Sequence, residues 1–274
     1  MIVYVDLEHE RIKRKTDLWL HSYTWRLETK YRLEAISGDH CLIVRYDQVS
    51  PALLRALHAR AVVVSGCYTD FEHYTAESLA GLQAVFKEAG WPTLGFCAGQ
   101  QLMAQAYGAR LDAIGPLEPA EPDVYAQQAV QGHVPGMRAE RGFMPVEIIS
   151  AHPLLSGFGS TAVFFQAHYW ELKDLPTGFT NLARSPITPY QVIAHAERPL
   201  FGTQFHPEYY DEKHPAGRRL IENFFQLANA WPLDFSEHVL PSRAGEAAPT
   251  ALSSDQQMSG QPIQASEEEE IASP

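Results

Sequence analysis

Cysteine is scarce in this 274-residue chain: Cys41, Cys67 and Cys97 are too few for a disulfide framework and lack the paired C-x-x-C spacing of a zinc site. Three thiols cannot all pair with one another, and a reducing compartment is the simpler setting for them. No stretch approaches the roughly 18 consecutive apolar residues of a membrane span. Met1 to Glu10 lacks the basic head and apolar run of a secretory signal. A soluble, cytoplasmic protein with no membrane partner is the expectation. Positive charge is also in deficit, with 21 Lys+Arg against 33 Asp+Glu and a formal net charge of -12. That balance repels a phosphate backbone, so no nucleic acid is expected as a partner. The basic cluster Arg11 to Lys15 has Glu8 and Glu10 close by and reads as a solvated helix start. Most histidines are scattered without ligand spacing, so neither a metal nor a cofactor is expected.

Aromatic residues are missing from 241–274, which hold one base, six acids and much Ser, Gln, Pro and Ala. Such a segment cannot bury enough apolar surface to offset its ordering entropy, and it reads as a disordered acidic tail following a folded region 1–240. Within 1–240, short β-forming runs alternate with helical patterns. Ile2 to Val5, Cys41 to Tyr46, Ala61 to Val64 and Thr93 to Phe96 read as buried parallel strands. Asp17 to Ile36, Pro51 to His58 and Ala76 to Ala89 read as helices, the last ending at Gly90 as its cap. This alternation predicts an α/β fold with a mostly parallel central sheet and helices on both faces. Residues 112–141, with four prolines and little periodicity, read as an irregular insertion. Further strands are expected at Pro145 to Ile149, Thr161 to Gln166, Phe179 to Ala183, Gln191 to His195 and Leu200 to Gln204. A helix from Pro215 to Asn229 follows.

The chemistry concentrates in two segments. In Gly95-Phe96-Cys97-Ala98-Gly99 a buried strand runs into a cysteine between small residues and then into a helix, the layout of a nucleophile elbow. Glycines two residues either side of the nucleophile allow close approach of strand and helix. The helix N-terminus favours a thiolate and offers the Ala98 N–H to a developing oxyanion. The second segment, His206-Pro207-Glu208, ends a strand with an imidazole and places a carboxylate two residues on, on the same side of extended chain. Glu208 can then hold the His206 tautomer while the other ring nitrogen faces a thiol, which makes a Cys, His, Glu relay available.

With these residues the sequence resembles the class I (triad) glutamine amidotransferases, whose pattern G-x-C-x-G-x-Q is matched by Gly95, Cys97, Gly99 and Gln101, and whose H-P-E is matched by His206, Pro207 and Glu208. Ser65-Gly66-Cys67-Tyr68 sits where the family has its oxyanion loop, usually S-G-G-P. The segment around His168, Tyr169 and Trp170 looks like the one that borders the glutamine pocket. The resemblance covers roughly residues 40 to 230 and implies a flavodoxin-like domain. It further implies that Cys97 attacks the glutamine side-chain amide to give a glutamyl thioester. His206 would protonate the departing ammonia and then activate water, while Glu208 orients His206. Cys67 and Ala98 would donate the oxyanion N–H groups. Gly66, Gln101, His168, Tyr169 and Trp170 would border or hold the substrate.

Cys67 and Tyr68 depart from the usual Gly and Pro. A non-glycine residue flips its amide less freely, so this loop is expected to be either preformed or misformed. Cys67 itself reads as a small residue filling a tight turn. Gln100 stands where the family commonly has His, with little effect expected. Three functions stay open: a glutaminase subunit passing ammonia to a separate synthase, a stand-alone γ-glutamyl amide or peptide hydrolase, and a non-catalytic regulatory subunit that kept the fold. The insertion fits a partner-docking surface or a lid.

Overall fold

The computed structural model describes residues 1–123 and 134–232. Met1–His238 and Val239–Pro274 separate as two units, and the second, with the expected acidic tail, lies outside the described residues. In the first unit the chain alternates as the sequence predicts through β1 (Ile2–Asp6), α1 (Thr16–Ser37), β2 (Cys41–Arg45), α2 (Pro51–Ala56), β3 (Ala61–Val64), α3 (Ala76–Glu88), β4 (Thr93–Phe96) and α4 (Ala98–Ala106). Then come β5 (Leu111–Ala113), β6 (Glu140–Ile148), β7 (Thr161–His168), β8 (Trp170–Leu172), β9 (Phe179–Arg184), β10 (Val192–His195), β11 (Leu200–Thr203) and α5 (Ala216–Ala230).

The main sheet has nine strands in the order β2-β1-β3-β4-β11-β10-β9-β6-β7. From β2 to β11 neighbours run parallel; from β11 to β7 they alternate antiparallel. Alternating side chains of the parallel strands feed two cores, as pleating requires. Val3, Val5, Val62 and Val64 pack with Leu54 of α2, Leu82 and Phe86 of α3 and Met103 of α4. Ile2, Tyr4, Val63, Leu94 and Phe96 pack with Leu33 of α1 and Leu220, Ile221 and Phe224 of α5. Helices therefore cover both faces.

Some expected boundaries move. The left-handed residue after α3 is Ala89 at φ 50°, not Gly90, and α2 stops at Ala56 because His58 turns left-handed at φ 49°. β6 begins five residues earlier than expected, since Gly142 at φ 83° and Pro145 hide its periodicity. Pro145 is tolerated there because that stretch of β6 has β7 on one side only. The segment 112–141 starts at the end of β5 and finishes in β6, with Pro116 bridged to Met137; residues 124–133 lie outside the described residues. The short pair β5 and β8 forms a separate antiparallel ribbon. No helix among the described residues is long and apolar enough to cross a membrane.

Helix α1 inverts the usual pattern. Its buried stripe is Ser22, Arg26, Thr29 and Leu33, while Leu20, Tyr23, Leu27 and Tyr31 are exposed. A mostly polar stripe against a sheet must find hydrogen-bond partners to be stable, and those of Arg26 lie at the site described next.

Candidate active site

All the residues singled out as candidates, Gly66, Cys67, Cys97, Ala98, Gln101, His168, Tyr169, Trp170, His206 and Glu208, line one cavity of about 950 Å³ at the carboxyl ends of the parallel strands. The cysteine sits at the β4–α4 junction with φ 47° and ψ -105°, a backbone conformation that costs a non-glycine residue energy and must be enforced by its surroundings. Enforcement comes from backbone packed on backbone. A Cβ at Gly95 would lie 2.5 Å from the Gly99 carbonyl carbon, and one at Gly99 would lie 2.6 Å from the Val64 oxygen of β3. The Cys97 N–H donates to Thr203 at 2.7 Å, tying the elbow to β11. Its sulfur is mostly buried and accepts from the Gln204 side-chain amide at 3.5 Å.

His206 follows β11 and is held by its own N–H, which donates to Phe165 at 2.8 Å. Its Nδ1 lies 2.8 Å from Glu208 Oε1, and Glu208 is 2% exposed, so the carboxylate is fixed and little solvated. Burial works to lower the imidazole pKa, but the Glu208 charge and hydrogen bonding to Cys97 override it and raise it to about 10. A Cβ on Gly66 would stand 2.8 Å from His206 Cε1 and 3.4 Å from Cys97 Cβ. Only glycine leaves that space open.

The N–H groups of the two residues expected at the oxyanion site, Ala98 at the first turn of α4 and Cys67 after β3, donate to no other group among the described residues. The Cys67 thiol donates to the Thr69 carbonyl at 3.2 Å, and burial followed by the nearby Glu8 charge pushes its pKa well up. By surface exposure the residue is partly buried, and it lines the same cavity as Cys97.

On the opposite side, the groups expected to hold a substrate are partly engaged with one another. The Gln101 side-chain amide donates to Trp170 O and Gln204 Oε1, both at 3.1 Å. His168 Nδ1 lies 3.0 Å from the same Trp170 oxygen, while its Nε2 lies 3.1 Å from Glu140. Tyr169 O accepts from Ile114 N–H at 2.8 Å, and the Tyr169 hydroxyl donates to Asp70 at 2.6 Å. Those two carbonyls are therefore already satisfied, and the pocket wall is braced by a buried His168–Glu140 pair. Burial alone would raise the Glu140 pKa, but its bonds to His168 hold it below the usual carboxylate value.

Sequence reasoning missed several residues here. Gln204 precedes His206 by two positions, the same spacing that pointed to Glu208, so its approach to the sulfur was recoverable. Trp25, Arg26 and Arg32 reach the cavity from α1, and no local pattern marks them. Trp25 packs on Tyr209 at 4.1 Å between ring centroids, and Tyr209 packs edge-on to His206 at 5.3 Å.

Comparison with known proteins bears on the family and the fold. The model of the family "Glutamine amidotransferase class-I" matches residues 23–228. A glutamine-hydrolyzing GMP synthase of Phenylobacterium zucineum is 32% identical over 191 residues, 69% of this chain but 31% of that protein. One of the subunits of the glutamine-hydrolyzing GMP synthase of Methanothermobacter thermautotrophicus is 32% identical over 139 residues, 51% of this chain and 62% of that one. The chain thus spans less than two thirds of either relative. Among solved structures, a protein of Thermoplasma acidophilum provisionally assigned as a GMP synthase subunit shares the fold with TM-score 0.61 and 22% identity, covering 84% of this chain and 94% of that one. With its family match running from α1 to α5 and its cysteine on a strained elbow, the chain belongs to the class I glutamine amidotransferase family.

Proposed function

We propose that this protein hydrolyses the side-chain amide of glutamine through a Cys97, His206, Glu208 triad and releases ammonia for a separate synthase. The observation that carries the reading is the His206 ring, paired with Glu208 at 2.8 Å on one nitrogen and brought beside the elbow cysteine, since a Cβ on Gly66 would stand 3.6 Å from His206 Nε2 and 3.4 Å from Cys97 Cβ. In the first half-reaction the Cys97 sulfur attacks the amide carbon as a thiolate. Its electron pair forms the C–S bond while the carbonyl becomes an oxyanion facing the Cys67 and Ala98 N–H groups. Collapse breaks the C–N bond, and the proton held by His206 passes to the nitrogen so that ammonia leaves. In the second, the now neutral imidazole takes a proton from water, whose oxygen attacks the thioester; the C–S bond breaks and glutamate departs. A raised His206 pKa suits the first step, because the proton the leaving nitrogen needs is present at neutral pH. Gln101 and the braced Tyr169–Trp170 wall would position the glutamyl end. Relatives named as glutamine-hydrolyzing GMP synthases, one of them a separate subunit of such an enzyme, support glutamine as substrate and a synthase as partner. Three unpaired thiols support a cytoplasmic setting.

One observation favours a second reading, a γ-glutamyl amide hydrolase. The cavity of about 950 Å³ is lined by Trp25, Phe165 and Tyr209 as well as by His206, more room than departing ammonia requires. Release of glutamate by the purified chain from glutamine and from γ-glutamyl amides, with Cys97→Ala as control, separates the readings. Glutamine turnover, lost by at least about 10³-fold in Cys97→Ala, is expected. Preference for γ-glutamyl amides would move the substrate to the second reading, and wild type as inert as Cys97→Ala on every substrate would leave only a binding role.

A further inference from the structure

We infer that Arg26 is a positioning residue that locks the Gly66–Cys67 peptide with its N–H toward the Cys97 sulfur, so that the oxyanion site is complete in the free chain. The inference rests on the proposed glutamyl transfer and concerns how that site is held.

Arg26 is a charged side chain buried in the middle of α1, 9% exposed, where a cation must be compensated to persist. Its Nε donates to Asp6 Oδ1 at 2.7 Å, at the carboxyl end of β1, and its Nη2 donates to the Gly66 carbonyl at 2.8 Å. The Ser65 hydroxyl donates to that same carbonyl, also at 2.8 Å. Both acceptor sites of the Gly66 oxygen are therefore occupied, one by a charge-assisted bond.

A trans, planar peptide points its N–H opposite to its C=O. With the oxygen held toward Arg26 and Ser65, the Cys67 N–H is turned away from them. The Gly66 Cα itself lies against the imidazole and the Cys97 Cβ, as the position of a Cβ built on it shows. The next peptide is pinned too: the Tyr68 N–H donates to Glu8 Oε2 at 2.8 Å, and Thr69 Oγ1 donates to Glu8 Oε1 at 2.7 Å. Cys67 thus lies between two anchored peptides, and rotating the first would break both bonds to the Gly66 oxygen. Of the two outcomes a non-glycine residue allows here, a preformed and a misformed loop, this network selects the preformed one. A lysine could not replace the fork, since its three N–H bonds leave a single nitrogen, whereas Nε and Nη2 of Arg26 reach Asp6 and Gly66 from two separate atoms.

The test uses the full chain as wild type, Arg26→Lys, Arg26→Gln and Arg26→Ala. It measures kcat and KM on glutamine or the γ-glutamyl amide turned over, the rate of Cys97 alkylation by iodoacetamide, Tm, and the crystal structure of Arg26→Gln. The expected result is a kcat about 10²-fold lower in Arg26→Gln, comparable to losing one oxyanion donor, with KM within about threefold. Alkylation should be unchanged, because the nucleophile is untouched. Arg26→Lys should be nearly as impaired, added methylguanidinium should restore part of kcat in Arg26→Ala, and the Gly66–Cys67 peptide should be rotated in the Arg26→Gln crystal. Wild-type kcat in Arg26→Gln, or a rate loss with the peptide unmoved, would overturn the inference. So would a wild-type chain that is idle alone and active only with an added partner. If wild type turns over neither glutamine nor any γ-glutamyl amide, the functional reading fails, and the peptide orientation in Arg26→Gln still decides this inference by itself.

Discussion

The elbow that carries Cys97 is held by backbone packed against backbone, whereas the Gly66–Cys67 loop beside it is held by side chains, Ser65 of the loop itself and others arriving from β1, the turn after it and α1. In the elbow, Gly95 of β4 meets Gly99 of α4, and Gly99 meets Val64 of β3, with no side chain between. In the loop, Asp6, Glu8, Arg26 and Ser65 supply the bonds. Backbone contact of the first kind depends on the absence of atoms and writes itself into a local motif. Apart from Ser65, support of the second kind depends on charged groups far apart in the chain and leaves no motif. The His206–Glu208 segment combines the two: its spacing is local, but Arg32 of α1 anchors it through the Glu208 and Tyr210 carbonyls at 2.9 and 2.8 Å.

The strongest break of this contrast is Gly99→Ala. The added methyl would sit 2.6 Å from a backbone oxygen that cannot rotate away, so a loss of about 3 kcal/mol in chemical denaturation, or failure to fold, is expected. A variant as stable as wild type would show that the elbow has slack and is not held by close approach. Next is Glu208→Gln, which keeps the shape of the His206 partner and removes its charge. Burial by itself lowers the His206 pKa, and Glu208 is the largest influence raising it. Without that charge the pKa falls, so the imidazolium is lost at a lower pH. The alkaline limb of the kcat/KM profile should therefore move down in pH from its wild-type position, and kcat should drop about a hundredfold. An alkaline limb that stays in place would assign it to another group. The smallest effect is expected for Arg32→Gln, which takes the α1 anchor from the His206 segment while Glu208 and the Phe165 carbonyl still hold the imidazole. A stability loss of about 1 to 2 kcal/mol by denaturant melt, with only a few-fold fall in kcat, is expected. A kcat loss as large as that of Arg26→Gln would mean that α1 governs both loops equally.

Legibility in the sequence follows the same division. The parallel strands could be read because β1, β3 and β4 are continuous apolar runs, as strands covered on both faces must be. β5 and β8 could not, because three residues are too few to show a period. From sequence β6 reads short, because Gly142 and Pro145 interrupt a strand that one-sided pairing permits to carry them. On the substrate side, Gln101, His168 and Trp170 were found as neighbours of the site. That the Trp170 carbonyl accepts from Gln101 and lies beside His168 Nδ1 was not legible. Gln101 stands 69 residues from Trp170, a separation no spacing rule reaches, and the two-residue step from His168 does not reveal which way its ring turns.

What the sequence determined by itself is the alternation of the longer strands and helices, the elbow and the His206–Glu208 spacing. Each is set within a few residues, by side-chain alternation, by the absence of a Cβ or by the reach of extended chain. Only the tertiary structure decided that the histidine lies beside the cysteine, that α1 turns Arg26 inward and Leu20 and Leu27 outward, and that the peptide before Cys67 faces one way. Those outcomes depend on which groups become neighbours once water is excluded. A buried guanidinium then takes whichever carboxylate and carbonyl the sheet brings within reach.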